Sequence, residues 1–150
     1  MNTISEIRTY LLEGQVIPAM PLALDDKRQW SQSSQRTLLR YQIDAGAGGT
    51  AVGVHSTQFA IRDPKYGLFE KLLTFAAKEI DAWRGDRPYL KVAGVCGKTP
   101  QALGEAAFAR QAGYDAALLS MAALNDQSEE AIIRHCREVS RTLPLIGFYL

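Results

Sequence analysis

Along the chain, apolar residues switch between the spacing of a helix and short unbroken runs. Ile4, Ile7, Leu11 and Leu12 follow Asn2-Thr3 and predict a short capped helix that Gly14 stops. The run Val16-Ile17-Pro18-Ala19-Met20 predicts a strand, although Pro18 removes one ladder donor. Residues 33–45 place Leu38, Leu39, Tyr41 and Ile43 on a helix closed by Gly46, and 49–54 read as a strand of small residues. Asp63-Pro64 predicts the start of a long helix carrying Leu68, Leu72, Phe75, Ala76, Ile80 and Trp83. Residues 89–95 then predict a strand, 100–112 an alanine-rich helix ended by Gly113, and 116–119 a further strand. Ser128 followed by Glu129 and Glu130 marks the start of a helix over 128–141, and 145–149 predict a last strand.

Five strands thus alternate with four helices behind a leading helix. Fully apolar strands joined by amphipathic helices predict parallel βαβ units with right-handed crossovers. A faint internal echo supports the repeat. Ala45-Gly46 and Ala112-Gly113 lie two units apart, and in each a glycine closes a helix before the next strand. No linker or low-complexity segment interrupts the pattern, so residues 1–150 read as one domain.

Charge and composition remove several function classes. The 17 Lys+Arg against 16 Asp+Glu residues leave a formal net charge of +1, spread evenly, so no basic face for nucleic acid is predicted. The chain is 47% hydrophobic, which argues against disorder. Cys96 and Cys136 share no paired spacing and read as buried free thiols of a reducing compartment. No run approaches the roughly 18 apolar residues of a membrane span. Glu6, Arg8 and Glu13 break any signal-peptide pattern. These features predict a cytoplasmic protein.

Two phosphate-loop patterns fail on inspection. Gly97-Lys98-Thr99 follows a strand and precedes a helix, but the glycine required five positions earlier is Val92. The run 46–51 matches GxGxxA, yet it links a helix to a strand, the reverse of the dinucleotide geometry. In parallel α/β folds chemistry gathers at the C-terminal ends of strands. His55, Ser56 and Thr57 form the densest polar group there, with hydroxyls able to bind a carboxylate and an imidazole able to move a proton. The alternative is that Ser56 and Thr57 cap a loop and His55 is a surface residue. Lys98 reads as a solvated helix-start residue, Cys96 as a packed thiol, and Trp30 and Trp83 as packing residues. His135, beside Arg134 and Arg137, reads as a surface side chain of its helix.

The ordered segments carry a resemblance. Residues 15–24 are followed by Asp44-Ala45-Gly46 leading into Gly53-Val54-His55-Ser56-Thr57, and then by Val92-Ala93-Gly94-Val95. Gln111-Ala112-Gly113-Tyr114-Asp115-Ala116 and Leu143-Pro144-Leu145-Ile146 complete the series. This order resembles the dihydrodipicolinate synthase / N-acetylneuraminate lyase family of (β/α)8 barrels, along nearly the whole chain. The resemblance implies an α/β fold of the parallel TIM-barrel type. It implies an aldolase-like lyase or synthase that takes pyruvate or another 2-keto acid as a Schiff base on a lysine ending the sixth strand. It implies no metal and no organic cofactor, and a homo-oligomer, tetramer or dimer. The family's Gly-Thr-Thr-Gly-Glu loop binds the keto-acid carboxylate, which makes Ser56 and Thr57 the implied hydroxyl donors.

The chain also departs from that family. His55 stands in the carboxylate loop, and the glutamate is missing. The Tyr-Tyr pair usual after strand four is replaced by Ser120-Met121-Ala122-Ala123-Leu124-Asn125. Counting from Leu143-Pro144, the family's catalytic tyrosine falls on Phe148, with Tyr149 one place late, so Tyr149 serves only through a bulge. A (β/α)8 barrel typically takes ~250 residues. Residues 1–150 therefore read as a single incomplete barrel domain truncated after the fifth strand, its Schiff-base lysine lying beyond the chain. Such a fragment alone is expected to be inactive. Two other readings stay open: a non-catalytic half-barrel that self-associates as a binding module, and a different TIM-barrel enzyme that binds a phosphorylated substrate.

Overall fold

The computed structural model describes residues 3–147, so Phe148 and Tyr149 lie outside the described residues. Helix α1 (Ile4–Leu12) opens with a capping box: the Thr3 hydroxyl accepts the Glu6 N–H at 3.2 Å, and the Glu6 carboxylate accepts the Thr3 N–H at 3.0 Å. It is followed by α2 (Gln32–Asp44), β1 (Gly49–Val52), α3 (Phe69–Trp83), β2 (Leu90–Val95) and α4 (Thr99–Gln111). Then come β3 (Ala116–Leu119), α5 (Glu129–Ser140) and β4 (Leu145–Ile146). The strands form one parallel sheet in the order β1-β2-β3-β4, each beside its successor, as βαβ units require.

Strand residues alternate between two apolar layers. Val52, Ala93, Val95, Ala117 and Leu119 face helices α2 to α5 and share a core with Leu39, Leu72, Leu73, Ile80 and Val139. Ala51, Leu90, Val92, Leu118 and Ile146 form the opposite layer, together with Ile7, Tyr10 and Leu11 of α1. The Tyr10 hydroxyl shares its one proton between the carbonyls of Gly48 at 2.9 Å and Pro88 at 3.1 Å, so α1 lies against the N-terminal ends of β1 and β2. On α4 the inward residues Ala102, Ala106 and Ala109 are fully buried, and their small size brings the helix close to the sheet. The three predicted glycine closures are present, with Gly14 (φ +83°) following α1. Gly46 (φ +88°) and Gly113 (φ +87°) take the left-handed conformation that stops α2 and α4.

Three boundaries differ from expectation, each for a local reason. Residues 16–20 run parallel to β1 but make only one bridge, Ala19 to Ala51. Met20 N–H donates to Ala51 O at 2.8 Å and Ala51 N–H to Pro18 O at 3.0 Å. Alternate residues donate to the same neighbour in a parallel ladder, and Pro18, two before Met20, has no proton to give. The expected first strand is thus an extended segment beside a four-stranded sheet. The long helix does not start at Asp63-Pro64. Asp63 O accepts from both Tyr66 and Gly67 in a separate turn, Gly67 is left-handed (φ +55°), and α3 begins at Phe69. Strand β1 stops at Val52 because Gly53 (φ +80°) bends the chain away. Of the strand expected over 145–149, Leu145 and Ile146 pair with β3.

Candidate active site

Everything distinctive about the exit of β1 follows from Gly53. Its φ of +80° admits glycine without strain, and its neighbour across the sheet is another glycine. A Cβ on Gly94 would collide with the Gly53 carbonyl group and the Val54 nitrogen, so the two backbones touch here with no room for a side chain. Beyond Gly53 the chain makes two short 3-10 turns, His55–Thr57 and Phe59–Arg62. Gln58 joins them at φ +76°, ψ 120°, a left-handed conformation that side chains other than glycine rarely adopt.

Side chains of the loop itself hold this segment. Thr57 is fully buried; its hydroxyl accepts the Gly53 N–H at 3.1 Å and donates to Met20 O at 2.6 Å. Arg62 takes the other side of the same residue, with Nη1 donating to Gly53 O at 3.0 Å and Nη2 to Gly94 O at 2.9 Å. Its Nε donates to Glu105 Oε1 at 2.9 Å, and both side chains are about nine-tenths buried, at 10% exposure each. The guanidinium also lies 4.4 Å from the centre of the Phe69 ring. Glu105 is saturated in turn: Gln101 Nε2 donates to Oε1 at 2.8 Å and the Cys96 N–H to Oε2 at 3.1 Å. Burial pushes the Cys96 thiol up, against the opposing pull of Arg62.

This leaves His55 and Ser56 as the side chains of the first turn with no holding role. His55 is exposed and Ser56 half-buried, and neither side chain makes a hydrogen bond within the described residues. Thr57, by contrast, gives its one hydroxyl proton to Met20. At the neighbouring strand ends, Lys98 is exposed, and Ser120 follows β3 with its hydroxyl 3.5 Å from the Ala122 N–H. A cleft of about 730 Å³ opens beside this region, lined by Arg62, Phe69, Lys71, Gln101 and Glu105 among others. It contains none of His55, Ser56 and Thr57.

One residue stands elsewhere than the sequence implied. His135 is not a surface side chain: at 2% exposure it lies between α5 and α4, with Nδ1 2.9 Å from the Thr99 hydroxyl. The apolar face of α5 falls on residues 135 and 139, four apart, which carries the imidazole inward. Cys96 and Cys136 are free thiols as expected, but each is half-buried rather than buried. Arg62 and Glu105 were not singled out from the sequence at all. The available signal was Glu105 itself, a charge on the alanine face of α4.

No protein-family model matches the chain, and no curated protein matches it. Solved structures do. Dihydrodipicolinate synthase from Aquifex aeolicus superposes with a TM-score of 0.77 at 19% identity, over 91% of this chain and 45% of that one. The 4-hydroxy-tetrahydrodipicolinate synthase from Methylacidiphilum fumariolicum SolV gives 0.78 at 18% identity, over 91% and 44%. A prophage protein of the dihydrodipicolinic acid synthase family from E. coli K12, solved in complex with pyruvate, gives 0.76 at 19%, over 91% and 44%. The resemblance read from the sequence is therefore present in three dimensions: the parallel α/β arrangement superposes on part of the fold of dihydrodipicolinate synthase structures. The chain spans less than half the length of each of these proteins.

Proposed function

We propose that residues 1–150 are the N-terminal part of a lyase or synthase that acts on pyruvate or another 2-keto acid, their sheet forming the first arc of a (β/α)8 barrel. The observation that carries this reading is the division of labour in the loop after β1. Thr57 and Arg62 fasten the loop to Met20, Gly53 and Gly94, while Ser56 and His55 are uncommitted at the C-terminal end of the sheet. The likeness of fold to a structure solved with pyruvate supports the substrate class.

In this reading Ser56 donates its hydroxyl proton to the keto-acid carboxylate, and Thr57 orders the turn that presents it. A lysine beyond residue 150 attacks the C2 carbonyl and water leaves; the iminium then either accepts the electron pair of a breaking bond at C3, or gives up a C3 proton to become an enamine whose pair forms the new bond. His55 and Tyr149 are the candidates to carry protons at the reacting centre. The complete enzyme is a homo-oligomer, dimer or tetramer, and needs neither metal nor organic cofactor. Among the described residues no helix is long and apolar enough to cross a membrane.

Reductive trapping tests the proposal. Borohydride added to the complete polypeptide with pyruvate should fix a reduced pyruvyl group on a lysine beyond residue 150. The absence of an adduct with every 2-keto acid tried would sink the reading.

A further inference from the structure

We infer that the buried Arg62–Glu105 pair is the positioning device for the substrate-carboxylate loop, an inference that rests on the function proposed above. The pair sits where the β1–β2 ladder ends at Val52–Ala93. One residue further on, the Gly53 and Gly94 carbonyls are gripped by the two ends of a single guanidinium, at 3.0 and 2.9 Å. The planar fork of arginine can span two acceptors and still bond a carboxylate through Nε; lysine, a single point donor, cannot. The Phe69 face fixes the plane of that fork. Glu105 fixes its rotation, and extends the link to the exit of β2 through the Cys96 N–H. The loop carrying Ser56 is therefore referenced to β2 and α4 as well as to its own strand.

Thr57 and Arg62 act on opposite sides of one peptide segment. The first bonds the Gly53 N–H and the second the Gly53 carbonyl, so the turn between them is closed at a single residue. Neither Arg62 nor Glu105 needs to touch substrate in this scheme. Their role is to set where the Ser56 hydroxyl stands.

The experiment compares the complete polypeptide with its Arg62→Lys and Glu105→Gln variants. The pyruvate concentration for half-maximal borohydride trapping and the yield at saturation are measured, together with amide hydrogen exchange over residues 53–58. Misplacing a positioned group weakens recognition steeply, so that concentration should rise about tenfold while the saturating yield stays within about twofold. Faster exchange over 53–58 should accompany the rise. Folded variants that trap pyruvate at the wild-type concentration would overturn the inference. If neither variant folds, Gln101→Ala decides: it removes one hydrogen bond to Glu105 from an exposed position and should raise the concentration about threefold, and no rise is fatal. If the unaltered protein traps no keto acid, the functional reading fails separately. Exchange over 53–58 then judges the clamp alone, and unchanged rates in Arg62→Lys would reject it.

Discussion

At the scale of single residues, adjacent hydroxyls in one turn have opposite employments. Ser56→Ala removes the free donor, and hydrogen bonds to charged groups are worth about 1.5–3 kcal/mol. The pyruvate concentration for half-maximal trapping should therefore rise at least about tenfold, with unfolding in urea unchanged. Thr57→Val removes a buried, doubly bonded hydroxyl and should lower stability by about 2 kcal/mol, read as a shifted urea midpoint. His135 adds a pH dependence. Burial holds its pKa below the ordinary imidazole value near 6.5, outweighing the pull of Glu138. The unfolded chain then takes up a proton that the folded ring refuses, so stability is lost as pH falls below about 6.5. The fall in urea midpoint from about pH 7.5 to about pH 5.5 should be smaller in His135→Gln, which stays neutral and can still bond Thr99. Arg62 and its partner lie forty-three positions apart, a distance over which no local pattern speaks. Glu105 alone was conspicuous, and only its burial shows that it needs a cation.

At the scale of elements, several helix ends set within a single turn are legible in the sequence. Thr3 and Glu6 cap α1, Ser128 caps α5, and Gly46 and Gly113 close their helices; each depends on residues within one turn. The segment at 16–20 was harder, because a strand exists only through its partner, and Pro18 withholds a bond that matters only once β1 lies alongside. At 63–68 the Asp63-Pro64 pair reads as a helix start, but it opens a separate turn that the left-handed Gly67 ends before α3. Just beyond the end of β1, the Gly53 and Gly94 backbones approach with no room for a Cβ on Gly94. Gly94→Ala should therefore cost about 3 kcal/mol through overpacking against backbone that has little freedom to move aside, measurable as a lowered urea midpoint.

At the scale of the whole molecule, the strand order follows the chain order, so the helices take one face of the sheet and α1 sits against the N-terminal ends of β1 and β2. Strands β2 and β3 are paired on both sides and should show the slowest amide exchange, with residues 16–20 and β4 exchanging much faster. The alternation of strands and helices was legible in the sequence because both faces of a parallel sheet are apolar. The site was legible only as a place, the ends of the strands. Which hydroxyl is committed there is decided by the long-range bond from Thr57 to Met20. The grip on Gly53 has a last consequence, for time rather than energy. A residue held through both its N–H and its carbonyl as the chain folds has no disordered state left to search when ligand arrives. Capture of the keto acid should then proceed in a single kinetic phase that scales linearly with ligand concentration, with no slow loop-closing step behind it.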